Sequence, residues 1–536
     1  MIQLKKKVLA GSMMAITLVV MTACTGQGNQ SSKGDAVATA SSPGKEERYK
    51  LTFLSWASDK MTDQPYAVKV IQDKFNVDIT IDPEKAETYQ QQLLLDIASG
   101  KVPDYWVDLK MPDYDKFVAQ GIPAELSEDF IKQNSPNYYN WLVKNLGQDP
   151  FKYQRRDGKI YSMPIIWTLG SDATVVGIRN DWLKNVGITK VPETLGELEE
   201  ALIKFRNDDP DKNGKKDTFG MTAKAELQPG VVPFSDIFTS IFAAFGVYPG
   251  AFTEENGKII KGEIQPGAKD ALTILNKWYK QDLIDLEFAV NKKANIDDKI
   301  ISGKYGVIES NWWNFLPARA FSGGKYFEKI PGVDWALFAG PKGPNGDYGA
   351  LQKNPVGNSG QQFSKKMEKD QGKLKKYLEI MDAYSFNTDV RASVTYGEKG
   401  KTYNVSPEGD YQFIPPYDQE SERIKFGIGP QYPFMGSFND YDFQTPFMTD
   451  AKYRDLRKKV EHIGRGKYDI LEPVSRPVFN ENKDRLDQFA VKAFIDFITG
   501  KRPISEFDAF VAEWKKMGGD QVMKEAEQKY EELFKK

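Results

Sequence analysis

An α/β protein of two lobes is what this sequence predicts, on three observations. Its 536 residues exceed what a single core ordinarily organises, so two cores are expected. From residue 49 to residue 109 the patterning runs strand, helix, strand, helix, strand, which implies parallel strands with right-handed crossovers. Beyond residue 157 a turn at Asp157 and Gly158 and a short strand ending at Pro164 lead into an apolar run holding Trp167, where the chain crosses over to a strand at 175–179.

The elements follow in order. Lys5, Lys6 and Lys7, an apolar stretch over 8–20 and Met21-Thr22-Ala23 before Cys24 read as a secretory leader. The apolar run is shorter than the roughly 20 residues of a membrane-spanning helix. Small residues before a cysteine match the lipobox of bacterial lipoproteins, with Met21 in place of the usual Leu, which implies a signal peptide over 1–23 and a lipid on Cys24. Residues 24–46, rich in Gly, Ser, Ala, Lys and Gln, are expected to be a disordered tether.

Strands at 50–56, 78–81 and 104–109 alternate with helices at 66–75 and 89–99. Ligands of such sheets bind beyond the carboxyl ends of the strands, here near Trp56 and Asp108. After the 175–179 strand, Asn180 or Asp181 is placed to cap a helix that Gly187 stops, and Thr194 with Glu197 has capping-box spacing for a helix over 195–207. Helices at 233–245 and 269–281, a strand at 305–308, a helix at 372–386 and amphipathic helices at 487–499 and 505–533 complete the reading, the last two expected on the outer surfaces.

Composition narrows the chemistry. Near-equal numbers of basic and acidic residues, 73 and 75, remove the broad argument for nucleic acid. One Cys and one His, His462, exclude an intrachain disulfide and zinc sites built on those residues, and any Ser-His-Asp triad would need His462, which has no nucleophile elbow nearby. No enzyme is expected, since scattered carboxylates without a hydrolase motif do not make a glycosidase pair.

The sharpest local pattern runs from Asp209 to Thr218. Oxygen donors from Asp209, Asp211, Asn213 and Asp217, with the Lys215 carbonyl and a turning Gly214, fall at EF-hand spacing, while Gly220 stands where the bidentate Glu would be. Structural calcium is the expectation, with Thr218 or water completing the shell; the alternative is a loop closed by Asx turns alone.

Four motifs in order, Ala98-Ser99-Gly100-Lys101-Val102-Pro103-Asp104, the crossover stretch 157–200, Ile301-Ser302-Gly303-Lys304-Tyr305-Gly306-Val307 and Thr395 to Tyr403, together with the 499–520 segment, closely resemble the family 1 extracellular solute-binding proteins, receptors of carbohydrate ABC importers. The resemblance spans nearly the whole chain. It implies a type 2 periplasmic-binding fold, two hinged lobes each with a β-sheet flanked by helices: a first part of the N-terminal lobe over 47–165, a second lobe over 166–355, and a return through the hinge with C-terminal helices over 356–536. Some oligosaccharide-binding relatives carry a calcium loop like that at Asp209.

The implied function is a lipid-anchored, extracellular, monomeric receptor that delivers an oligosaccharide to an ABC permease at the cell membrane. The rivals are a cell-surface polysaccharide-degrading enzyme and a ligand-sensing accessory protein for a membrane kinase. Pyranose faces pack on indole rings while their hydroxyls meet planar polar groups. The expected ligand contacts are therefore the aromatics Trp56, Trp167, Trp312, Trp313 and Tyr396, flanked by Asp108, Arg179, Asn180, Glu309 and Asn311. Core packing is the alternative for each aromatic, and a hinge salt bridge for Arg179.

Overall fold

The computed structural model describes residues 47–55, 61–83, 88–107, 109–168, 173–225, 234–321, 324–357, 359–432, 434 and 441–535. The expected leader, Cys24, the tether, Trp56 and Asp108 lie outside the described residues. Residues 47–536 form one compact unit.

The chain opens as β1 (Tyr49–Ser55), α1 (Tyr66–Phe75), β2 (Val77–Pro83), α2 (Tyr89–Ala98) and β3 (Tyr105–Val107). β1 and β2 pair in parallel, Tyr49 opposite Val77, as a helical crossover requires. β3 does not extend that ladder; it pairs antiparallel with Gln361–Phe363, a strand more than 250 residues later. Leu51, Phe53, Ile71, Val77 and Trp106 build the first core, where Phe53 packs 5.2 Å from Tyr377 of the helix Gln371–Phe386.

The second lobe carries a four-stranded mixed sheet in the order Trp335–Phe338, Thr174–Arg179, Tyr305–Asn311, Phe219–Met221. Period-two alternation splits the Thr174–Arg179 side chains: Val176 and Ile178 enter the large second core, and Val175 a smaller core on the other face. Val307 and Ile308 of the neighbouring strand divide the same way, so both faces of this sheet are covered.

The capping box at Leu195–Asn207 forms as its spacing predicts: Glu197 N donates to Thr194 Oγ1 at 3.3 Å and Thr194 N to Glu197 Oε2 at 3.2 Å. The cap expected from Asn180 or Asp181 does not form, because Asn180 Nδ2 donates to Asp334 at 2.7 Å and Asp181 accepts from Arg179.

Most buried residues from Val356 to Phe434 join the first core, Ala392, Tyr396 and Tyr403 form a cluster of their own, and those from Leu471 to Ala526 complete the second core. The helices Pro477–Thr499, Phe507–Trp514 and Asp520–Phe534 each close the second core with one face and expose the other, the last burying only Val522 and Ala526, as amphipathic helices on an outer surface do. The closure is aromatic: Phe494 lies 4.8 Å from Phe234 and 5.4 Å from Phe242, and Asn276 Nδ2 donates to the Phe497 carbonyl at 3.0 Å. Gly518, at φ +110°, provides the break between the last two helices.

Three segments cross side by side between the cores. Met163 and Gln361 exchange backbone hydrogen bonds of 2.8 Å, Trp167 N donates to Pro355 O at 2.9 Å, and Ala350 N and Gln352 N donate to Arg465 O and Lys467 O at 2.8 and 2.9 Å.

Candidate functional site

The parallel strands Phe219–Met221 and Tyr305–Asn311 end at one edge of the second sheet, and the antiparallel Thr174–Arg179 begins there. A cavity of about 300 Å³ opens at that edge, with Thr174, Thr222, Ser310, Asn311 and Asn314 on its wall. This is where the carboxyl-end rule for α/β sheets puts a ligand.

Each lysine on its wall has an acidic partner. Lys224 Nζ pairs with Asp236 at 2.8 Å, Lys325 pairs with Asp297, and Tyr326 OH donates to Asp297 at 3.0 Å. Glu309 faces the same space but is held by Thr239 N at 2.8 Å and Ser240 N at 2.7 Å. Burial pushes its carboxyl up, and those donors oppose the shift. A wall of amides, hydroxyls and neutralised ion pairs suits a ligand that both donates and accepts hydrogen bonds. Sequence reasoning missed Lys224, Asp236, Asp297, Lys325 and Tyr326. Thr222 and Lys224 could have been found from the end of the Phe219–Met221 strand; the others come from segments that only folding brings there.

A second concave region lies at the crossovers. Trp167, half-buried, borders two adjoining cavities, and Lys353 Nζ sits 4.2 Å from its ring centroid.

The other expected ligand contacts divide. Asn311 and Glu309 line the sheet-edge cavity. Trp313 is half-buried, meeting Phe321 at 5.6 Å. Trp312 is fully buried in the smaller core, because the strand ends at Asn311 and Trp312–Phe315 is a 3₁₀ turn in which strand alternation no longer applies. Tyr396 is buried in a separate aromatic cluster, 4.8 Å from Phe413 and 5.0 Å from Tyr411. Arg179 is 6% exposed, donates to Asp181 at 2.8 Å and to Gly303 O at 3.2 Å, and lies 4.6 Å over Trp182. These three residues, and Asn180 with its Asp334 bond, serve the scaffold as the structure stands.

The Asp209 loop closes on itself. Asn213 Nδ2 bridges Asp211 at 2.8 Å and Asp217 at 3.1 Å, Gly214 N donates to Asp209 at 2.9 Å, and Lys215 N to Asn213 Oδ1 at 2.7 Å. Burial and the Asp209 carboxyl raise Asp211, while Asn213 and Lys304 lower Asp217. Thr218 Oγ1 donates to Phe205 O at 2.6 Å, which takes it out of the expected shell. Among the described residues no three Asp, Glu, His or Cys side chains converge to hold an ion.

Comparison with known proteins places these features in context. The family model described as bacterial extracellular solute-binding protein matches residues 66–356. Lipoprotein LipO of Bacillus subtilis is 26% identical over 508 residues, 92% of this chain and 94% of that protein. The polygalacturonan/rhamnogalacturonan-binding protein YtcQ of the same organism is 25% identical over 531 residues, 96% of each. Among solved structures, an EF-hand mutant of the Streptococcus pneumoniae ABC-transporter substrate-binding protein FusA, in complex with fructo-nystose, aligns with a TM-score of 0.60 at 18% identity, covering 91% of this chain and 99% of that one.

Proposed function

The chain belongs to the bacterial extracellular solute-binding proteins, and on that premise we propose that it is a lipid-anchored receptor that binds an oligosaccharide between its lobes and delivers it to an ABC permease. The carrying observation is the cavity at the carboxyl edge of the second sheet, whose lysines each pair with an aspartate and whose wall presents amides and hydroxyls beside aliphatic side chains. Trp313, half-buried and set in the sequence between the cavity-lining Asn311 and Asn314, is the proposed apolar face for the sugar. Two relatives are named for what this reading requires: YtcQ for binding a polysaccharide, and FusA for service to an ABC transporter. LipO is named a lipoprotein, which supports the anchor on Cys24.

Three adjacent crossing segments form a natural hinge, and closure about them brings residues of both lobes onto one ligand. Ligand binding then selects the closed form, which the permease distinguishes from the empty one. The proposed lobes are 47–165 with 356–434, and 166–355 with the C-terminal helices.

Calcium in the Asp209 loop belongs to the same proposal. Asp209, Asp211, Asn213 and Asp217 carry oxygen donors within one loop, which would have to draw in around an ion, and the Asn213 NH2 group that now bridges the Asp211 and Asp217 carboxylates stands in for a positive charge. Turning that amide over presents its oxygen instead. The ion would tie down the loop after helix Leu195–Asn207 and has no part in chemistry.

Thermal unfolding against a panel of oligosaccharides, with and without chelator, tests the reading. A bound sugar raises the melting temperature by mass action. Absence of any shift across the panel, or turnover of the sugar during the experiment, overturns it.

A further inference from the structure

The carboxylates of Asp236, Asp297 and Glu309 all reach the wall of the sheet-edge cavity, and they are not equally engaged. Glu309 accepts from Ser240 N on Oε1 at 2.7 Å and from Thr239 N on Oε2 at 2.8 Å. Asp297 accepts from Tyr326 OH on Oδ1 at 3.0 Å and from Lys325 on Oδ2. Asp236 differs. Lys224 Nζ at 2.8 Å and Ser235 Oγ at 3.0 Å both donate to its Oδ2, and among the described residues no donor reaches its Oδ1. Its side chain is 41% exposed, so that oxygen is open to a ligand.

Lys224 brings the opposite polarity. An ammonium carries three protons. One goes to Asp236, and among the described residues the others meet no acceptor. Lys224 N also donates to Asp236 O at 3.1 Å, so the segment after Phe219–Met221 and the turn ahead of Thr239–Ala243 are bonded through backbone and side chains alike. The pair is therefore held in place before any ligand arrives, which lowers the cost of ordering it on binding.

We infer that Asp236 and Lys224 are the specificity-determining pair of this cavity, taking two adjacent, unsubstituted hydroxyls of the sugar, one donating to Asp236 Oδ1 and its neighbour accepting from Lys224 Nζ. This rests on the receptor reading above and adds the part of the sugar that is read. A carboxylate only accepts, an ammonium only donates and a hydroxyl does both, so a vicinal diol answers both poles at once. The 2.8 Å ion pair sets those poles side by side, as adjacent ring hydroxyls are. Both bonds are charge-assisted. A sugar lacking either hydroxyl leaves one charge covered and unpaired, the mismatch that a polar site rejects most strongly.

The test is calorimetric titration of the protein with a panel of trisaccharides, kestose, maltotriose, cellotriose, xylotriose and tri-galacturonate, the tightest of which is carried forward. Asp236→Asn, which keeps the side chain's size, and Lys224→Met each weaken its binding by about tenfold or more at an unaltered melting temperature, the scale of one charge-assisted hydrogen bond. Monodeoxy analogues of the same trisaccharide then separate contact from scaffold. The analogue lacking the hydroxyl that donates to Asp236 binds the unsubstituted protein about tenfold more weakly than its parent, and binds Asp236→Asn as well as its parent does. Unaltered affinity in either variant, or a deoxy penalty at every position that is the same with and without the Asp236 carboxylate, overturns the inference and leaves the receptor reading standing. Failure of every trisaccharide to bind the unsubstituted protein removes both.

Discussion

The indoles of Trp312 and Trp313 meet edge to face, centroids 5.5 Å apart and planes at 85°, and only Trp313 has a surface outside the core. Adjacent in sequence, they do different work. Trp312→Ala is expected to cost about 3–5 kcal/mol of stability in denaturant unfolding, because its cavity opens under Val175, Ile308 and Phe321. Trp313→Ala is expected to cost less stability and to weaken oligosaccharide binding by about 1 kcal/mol in calorimetry. Equal effects of the two on both quantities would contradict this division.

Gly360 sits at φ +80°, and a Cβ there would lie 2.1 Å from the Met163 carbonyl oxygen of the adjacent crossing segment. Gly360→Ala therefore forces apart two strands of the proposed hinge. A loss of about 2 kcal/mol or more is expected in chemical denaturation, with slower or weaker ligand-induced closure by small-angle scattering.

Glu472 gives the stability a pH slope. Burial, then the Asp469 charge, push its carboxyl up to about 8, against the pull of Arg476 and Lys353. The folded state therefore binds the proton more tightly than the unfolded chain, so stability contributed by this group is present below the ordinary carboxylate range and is lost as pH rises towards 8. Denaturation midpoints measured from pH 5 to pH 8 should fall, and Glu472→Gln should flatten that fall. An unchanged slope in the variant would assign it to other groups.

Chelation probes the Asp209 loop. With calcium present, the melting temperature should exceed that with chelator, and Asp209→Ala should abolish the difference. Because Asp209 also accepts from Asn213 N and Gly214 N, the variant should melt somewhat below the metal-free protein as well.

Arg179→Ala should reduce stability by about 2 kcal/mol or more while leaving sugar affinity unaltered, since its guanidinium is committed to Asp181 and to the face of Trp182. A large change of affinity at unchanged stability would return Arg179 to the ligand site.

Short-range physics was legible in the sequence. The periodicity of 49–107 gave the β1-α1-β2-α2-β3 order, Thr194 and Glu197 announced their capping box, and single Cys and His residues confined the chemistry, because each depends on neighbours within a few residues. Glu309 and Asn311, named from the sequence as polar groups flanking the expected aromatics, both stand on the cavity wall. Tertiary structure alone decided which indole is covered, which strand completes the β3 ladder and which core the last helices close. It also brought Lys353 onto Trp167, and Asp297 to Lys325. Those outcomes turn on side chains from separate segments competing for one volume or one charge partner, and a local pattern carries no record of that competition.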